Sequence, residues 1–194
     1  GSNVRVLAGT DVIVGLVDAR TSADRQNSAL TSQANWGAIS LTAMTGSILD
    51  ASAPLESAAD LFASNVRLSA GVGVGTVANA IETELEVVSA AAGGGGVNLL
   101  DASSMTVGTV GPVPVERTLP DGTTMTHTDQ GDQTGVTKTG GDSTLSTETN
   151  EPVDGYPGFQ IVDFLNTDSR PNVQSGLYEQ RVTISNDNNS TIDA

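Results

Sequence analysis

The chain of 194 residues has no cysteine, one histidine, one tryptophan and six aromatic residues in all, and it sets eight basic side chains against 23 acidic ones. Each shortage excludes something. Without cysteine there are no disulfides and no thiolate metal sites. Lys138 is the single lysine, and the formal net charge is -15, so no basic cluster exists to neutralise phosphates. Nucleic acid and anionic membrane surfaces are therefore excluded as partners. No apolar run reaches the length of a membrane-spanning helix, and membrane insertion is not expected. No signal-peptide pattern precedes the first apolar segment, and Gly1-Ser2 reads as a cloning scar on a piece excised from a longer chain.

A core so poor in Phe, Trp and Tyr has to be filled by Val, Leu, Ile and Ala in narrow layers, which suits stacked strands better than packed helices. The 22 glycines and the abundance of Thr, Ser and Asn point the same way, towards strands joined by tight turns.

What is present is a degenerate repeat. An alternating motif returns at Asn3 to Ala8, Ala38 to Ala43, Asn65 to Ala70 and Gly96 to Asp101. Aligning Val4, Ile39, Val66 and Val97 gives steps of 35, 27 and 31 residues, and the residue two places on is apolar each time: Val6, Leu41, Leu68, Leu99. Periods of this size mark supersecondary units that bury a core only by stacking. A second apolar stretch follows each anchor: Val12-Ile13-Val14, Ile48-Leu49, Val72-Gly73-Val74 and Met105-Thr106-Val107. Two strands per unit with a bend between them is the pattern of a parallel β-helix, whose rungs stack at roughly 4.8 Å.

In the third unit Ile81, Thr83, Leu85 and Val87 share one strand face and Glu82, Glu84 and Glu86 the other, although the composition from Ala78 to Val88 also suits a short helix. The three glutamates are expected to form a solvated acidic face, with a cation site as the minor alternative. Asp18 to Asn35 reads as an insertion that lengthens the first step and Ala90 to Gly96 as a small-residue turn, neither carrying chemistry. Residues 118–150 hold eleven threonines and four clearly apolar residues, and Gly140 to Ser146 echoes the repeat. This stretch reads as a polar connection or as degraded units continuing the stack. From about residue 152 the aromatics Tyr156, Phe159, Phe164 and Tyr178 gather. Gln160 to Phe164 and Leu177 to Ile184 read as strands, with turns at Ser169 to Gly176 and Asn186 to Asn189.

The repeats at Ile39 to Ala43 and Val66 to Gly73, running on through Asn79 to Thr83, resemble those of large bacterial surface proteins of the filamentous-haemagglutinin kind. The resemblance covers residues 3 to about 115 and implies a right-handed β-helix used as an extracellular rod for adhesion or surface structure. Gly176 to Asn186 looks like the opening strand of an immunoglobulin-like sandwich of the sort appended to such proteins. The unequal steps, the long spacer and the fading of the units after residue 115 depart from the family pattern. The family offers no catalytic residues to carry over.

The residues give no catalytic, cofactor-binding or metal-site assignment. His127 has no second imidazole or activated serine in its sequence neighbourhood and reads as an incidental surface histidine. A β-helix lyase or hydrolase needs converging carboxylates. Asp11, Asp50 and Asp101 fall seven, eleven and four residues after their anchors, out of register with one another. Arg5 and Arg67 share a register but lie two units apart. The runs Gly71 to Gly75 and Gly93 to Gly96 lack the lysine and the strand-to-helix context of a phosphate loop. Asp129-Gln130-Gly131-Asp132 and Asp187-Asn188-Asn189 allow at most weak calcium binding.

The expected architecture is all-β. It comprises a right-handed parallel β-helix of about four coils over 3–117, a Thr/Gly-rich connection over 118–151, and the start of a β-sandwich over 152–194. The expected role is a non-catalytic segment of an extracellular bacterial surface protein, an adhesin or fibre scaffold, whose partners are other protein chains or surface glycans. Two alternatives stand beside it: a filament subunit assembling by strand addition, and a carbohydrate-active β-helix enzyme.

Overall fold

The computed structural model describes residues 1–27, 31–52, 58–141 and 143–147, and the backbone of a strand at 180–184. Strands form where aliphatic residues alternate with Ser, Thr, Arg and Asn. They run, in order, Val4–Ala8 (β1), Val12–Val14 (β2), Val17–Asp18 (β3), Ala38–Ala43 (β4), Ile48–Asp50 (β5) and Leu61–Ala70 (β6). Next come Ile81–Ala92 (β7), Asn98–Asp101 (β8), Thr106–Val107 (β9), Thr109–Val110 (β10) and Val115–Thr118 (β11). The last are Thr124–His127 (β12), Gln133–Thr134 (β13), Val136–Lys138 (β14), Ser143–Thr147 (β15) and Gln180–Ile184 (β16). Among the described residues the only helical turn is the short 3-10 segment Asp24–Gln26. The chain is all-β. Its ten-stranded main sheet runs β1-β4-β6-β7-β8-β15-β16, with β3 on β6 and both β9 and β14 on β7, and it is parallel except where β16 joins β15.

Three ladders run through this arrangement. Val4, Ile39, Val66 and Val88 pair in succession, as do Val6, Leu41, Leu68 and Ala90. Val12, Ile48, Val74 and Val97 form a second parallel series. Val17, Leu61, Thr83 and Asp101 form the third. Most of the aliphatic residues in these series belong to one continuous core cluster. The fourth anchor expected from sequence is thereby corrected. Val97 does not continue the Val4 series; Val88 does, 22 residues after Val66, and Val97 continues the Val12 series instead. Met105-Thr106-Val107, expected in the Val12 series, pairs through Thr106 and Val107 with Val87 and Val88. Both errors have one cause: an apolar-polar-apolar triplet does not carry the identity of its ladder. The pairings establish parallel stacking within one mostly parallel sheet.

Within β7 the inward series is Ile81, Thr83 and Leu85, then Val88, Ala90 and Ala92, so the alternation skips a residue and Val87 leaves the face expected for it. β6 makes the same skip in register, from Leu61 and Ala63 to Val66, Leu68 and Ala70. Ala90 to Ala92, expected in a turn, lie in β7 and pair with Val136 to Lys138. Only Gly93 to Gly96 turn. They do so against the preceding glycine-rich turn, so closely that a β-carbon on Gly93 would collide with the Gly71 carbonyl.

Two insertions fold back over the outward faces. The first brings Trp36 against Phe62 and Arg20 over the Phe62 ring at 3.8 Å, with Arg20 paired in two hydrogen bonds to Asp18. The second interrupts the strand laid on β7. β9 and β14 are its two halves, and between them the Gly135 N–H donates to the Gly108 carbonyl at 2.8 Å, closing the base of the insertion. Residues 109–134 return across β1, β4 and β6, where Asp129 is the pin. Its Oδ1 accepts from Arg5 Nε and Ser40 Oγ, both at 3.0 Å, and its Oδ2 accepts from Val113 N at 3.0 Å and lies 3.8 Å from Arg67 Nε. Arg5, Ser40 and Arg67 are cross-strand neighbours, so the shared register noted in the sequence becomes a shared partner. The composition change at residue 118 falls within the antiparallel hairpin of β11 and β12. The echo at Gly140 to Ser146 does continue the stack, since Leu145 pairs with Leu99. Of the expected sandwich module over 152–194, only β16 falls among the described residues, added antiparallel to β15. The expected strand at 160–164 and the turns at 169–176 and 186–189 lie outside them.

Replacing Asp129 by Ala leaves Arg5 and Arg67 without their shared partner in a mostly buried seam. The loss should be on the order of 2 kcal/mol of stability, with amide hydrogen exchange rising across residues 109–134 and not in β4 or β6. Denaturant unfolding and exchange mass spectrometry check both parts.

Candidate functional site

The outward face of β7 carries Glu82, Glu84 and Glu86, the residues expected to form a solvated acidic face. That expectation fails: Glu82 and Glu84 are each only 5% exposed, and Glu86 is half-buried. The cause is tertiary. The first insertion, the segment leading into β6 and the turn after β8 all close over this face, and no feature local to β7 announces them.

Two groups of carboxylates result. In the first, Asp50, Asp60 and Glu82 bring one oxygen each within 4.8 Å of one another. Asp60 is placed by the ladder, its N–H donating to the Glu82 carbonyl at 2.9 Å and its carbonyl accepting from Val17 N at 2.7 Å. Asp50, at the end of β5, accepts from Ser52 N through Oδ1 and from Asn79 Nδ2 through Oδ2, both at 2.7 Å. Three clustered carboxylate oxygens beside an amide side chain are the hard-oxygen donor type that calcium-class cations take. These are the residues among those described that could hold a metal.

In the second group, Asp101 is fully buried on the inward side. Its Oδ2 accepts from Thr83 Oγ1 at 2.7 Å and from Leu85 N at 3.2 Å, and its Oδ1 accepts from Ser103 N at 3.1 Å. The carboxylate thus serves the Leu85 N–H at the end of β8. Burial, reinforced by the neighbouring Glu84 charge and opposed by these hydrogen bonds, pushes the Asp101 carboxyl up to about 7. Glu84 faces the other way. Its Oε1 accepts from Ser32 N at 2.6 Å and from Ser103 Oγ at 2.8 Å, and burial raises its pKa against both bonds.

The carboxylates weighed from sequence do not converge. Asp11 is exposed and accepts from Ser47 N at 2.7 Å, Asp50 meets Asp60 and Glu82, and Asp101 lies inside the core. His127 stands in the β11–β12 hairpin opposite Val115. Sequence reasoning did not find Asp60 as a partner of Glu82. Asp60 directly precedes Leu61, in register with the run Glu82-Thr83, and that adjacency carries a signal only once the 22-residue offset between β6 and β7 is known. No protein-family model, no curated protein and no solved structure matches this chain.

The shifted carboxyls set the pH dependence of stability. Asp101 titrates near 7 when folded and near 3.8 when unfolded. The folded chain therefore binds more protons between those values, and stability falls as pH rises through that window, by on the order of 4 kcal/mol before flattening above it. Glu84, also raised, acts in the same direction. Asp18 and Asp129 act oppositely. Burial raises each, but hydrogen bonds and arginine charges outweigh it and hold both below 3.8, so their stabilisation is lost in stronger acid. Urea midpoints should peak between about pH 4 and 5, and Asp101→Asn should flatten the decline towards neutrality.

Proposed function

We propose that this chain is a non-catalytic segment of an extracellular bacterial surface protein, a short right-handed parallel β-helix serving as an adhesin or fibre scaffold. The observation that carries the reading is the set of three concurrent ladders, headed by Val4, Val12 and Val17, each extended by one residue per unit. The paired skips in β6 and β7 fall between two of these ladders. The buried charges support the same reading, since Asp129, Asp18 and Arg20 are spent on fastening insertions to the outward faces. Such a stack resists bending because each unit is bonded along its length to the next. Antibodies raised against the chain should label intact cells of its native host; labelling that appears only after permeabilisation overturns the extracellular assignment.

A second reading, favoured by the Asp50, Asp60 and Glu82 cluster, adds a weakly held calcium ion that clips β5 to β6 and β7. Calcium at about 5 mM should then raise the melting temperature by about 2 °C or more over a chelator control. Glu82→Gln should abolish the rise. Equal melting with and without calcium in the unaltered chain rules this reading out.

A further inference from the structure

Beside the second carboxylate group lies a groove of about 420 Å³ lined by Thr31, Ser32, Glu86, Ser103, Ser104 and Thr106. One wall is the stretch at Thr31 and Ser32 in the first insertion, and the other is formed by Ser103 and Ser104 after β8 with Thr106 at the start of β9. Glu86 on β7 lies between them. The walls are far apart in sequence and are tied by a single group, because the buried Glu84 carboxylate accepts from Ser32 N at 2.6 Å and from Ser103 Oγ at 2.8 Å. Glu84 is therefore a positioning residue that fixes the width of the groove. The volume lies within the span of small-ligand sites, about 300–1,000 Å³.

The lining selects its ligand. Five of the lining residues are Ser or Thr and one is Glu86, with no lysine, arginine or aromatic residue among those described. Phosphates, sulfates and uronates are disfavoured by Glu86, by Glu84 beneath and by the formal charge of -15. A divalent cation would find one lining carboxylate where calcium sites take six to eight oxygens, several of them charged. A vicinal diol fits the donor pattern. Its two O–H groups donate to the two oxygens of Glu86, and its oxygens accept from Ser and Thr hydroxyls that both donate and accept.

We propose that this groove binds a neutral saccharide, with a vicinal diol held by Glu86 and the Ser104 and Thr106 hydroxyls. The proposal deepens the surface-scaffold reading by naming the class of glycan it would touch, yet its test uses the purified chain and does not depend on where the protein resides. Amide spectra of the full chain are titrated in parallel with methyl α-mannopyranoside, methyl β-galactopyranoside, galacturonate and calcium chloride. At least one neutral glycoside should shift the Ser32, Ser103, Ser104 and Thr106 amides saturably in the millimolar range, with galacturonate at least about tenfold weaker. Glu86→Gln, at a half-buried position, should keep the dispersed spectrum and weaken binding about tenfold. Three outcomes overturn the proposal: no shift from either neutral glycoside at about 100 mM, shifts from calcium or galacturonate in place of the neutral sugars, or undiminished binding by Glu86→Gln.

Discussion

Parallel register is the constraint on which everything else in this protein rests. Each inward side chain packs on its counterpart one strand away: Ile39 on Val66, Leu41 on Leu68, Val66 on Val88. A core made this way is narrow and needs no large side chain, which is how so few aromatics suffice. It is also intolerant of truncation. Leu41, Leu68 and Leu85 are fully buried, and a cavity left at such a position typically costs about 2–5 kcal/mol. Because the backbone bonds run between successive units, the stack is held by its ladders as well as by apolar burial.

The outward faces are where this chain departs from a bare stack. Alternation places Arg5, Ser40, Arg67, Asp18, Phe62, Glu82 and Glu84 there, and insertions then cover them. Covering a charged face removes its hydration, so each buried charge needs a partner inside the protein. Asp129 satisfies the Arg5-Ser40-Arg67 seam, Asp18 satisfies Arg20, and Ser32 and Ser103 satisfy one oxygen of Glu84. The same covering that costs hydration creates the acidic triad and the hydroxyl-lined groove. Neither exists on any single strand.

Much of the stack was legible in advance. Val4, Ile39 and Val66 align as their motifs suggest, Val12, Ile48 and Val74 follow in step, and Leu145 pairs with Leu99 to continue the stack beyond the point where the pattern fades. The misreadings share a physical origin. Val97 looked like an anchor because its local triplet matches, but the ladder a triplet joins depends on how many residues separate it from the previous turn. Period-two alternation predicts Val87 inward, but the strand skips a residue before it. Glutamate on an outward face is usually solvated, but Glu82 and Glu84 are covered by segments distant in sequence. Of the candidate sites, Asp50 and Glu82 had each been noted, yet nothing local to them names Asp60 as the third member or Glu84 as the tie between two loops.

Composition and alternation by themselves determined the β class, the aliphatic core, the stacking of successive units and the strongly negative net charge. These are properties of side-chain volume, charge and period, and they can be read along the chain. Tertiary structure alone decided which ladder each triplet joins, which outward faces are covered, and which carboxylates meet. Those depend on where insertions land after the stack has formed, and on contacts between residues such as Arg5 and Asp129 or Ser32 and Glu84 whose separation in sequence carries no signal.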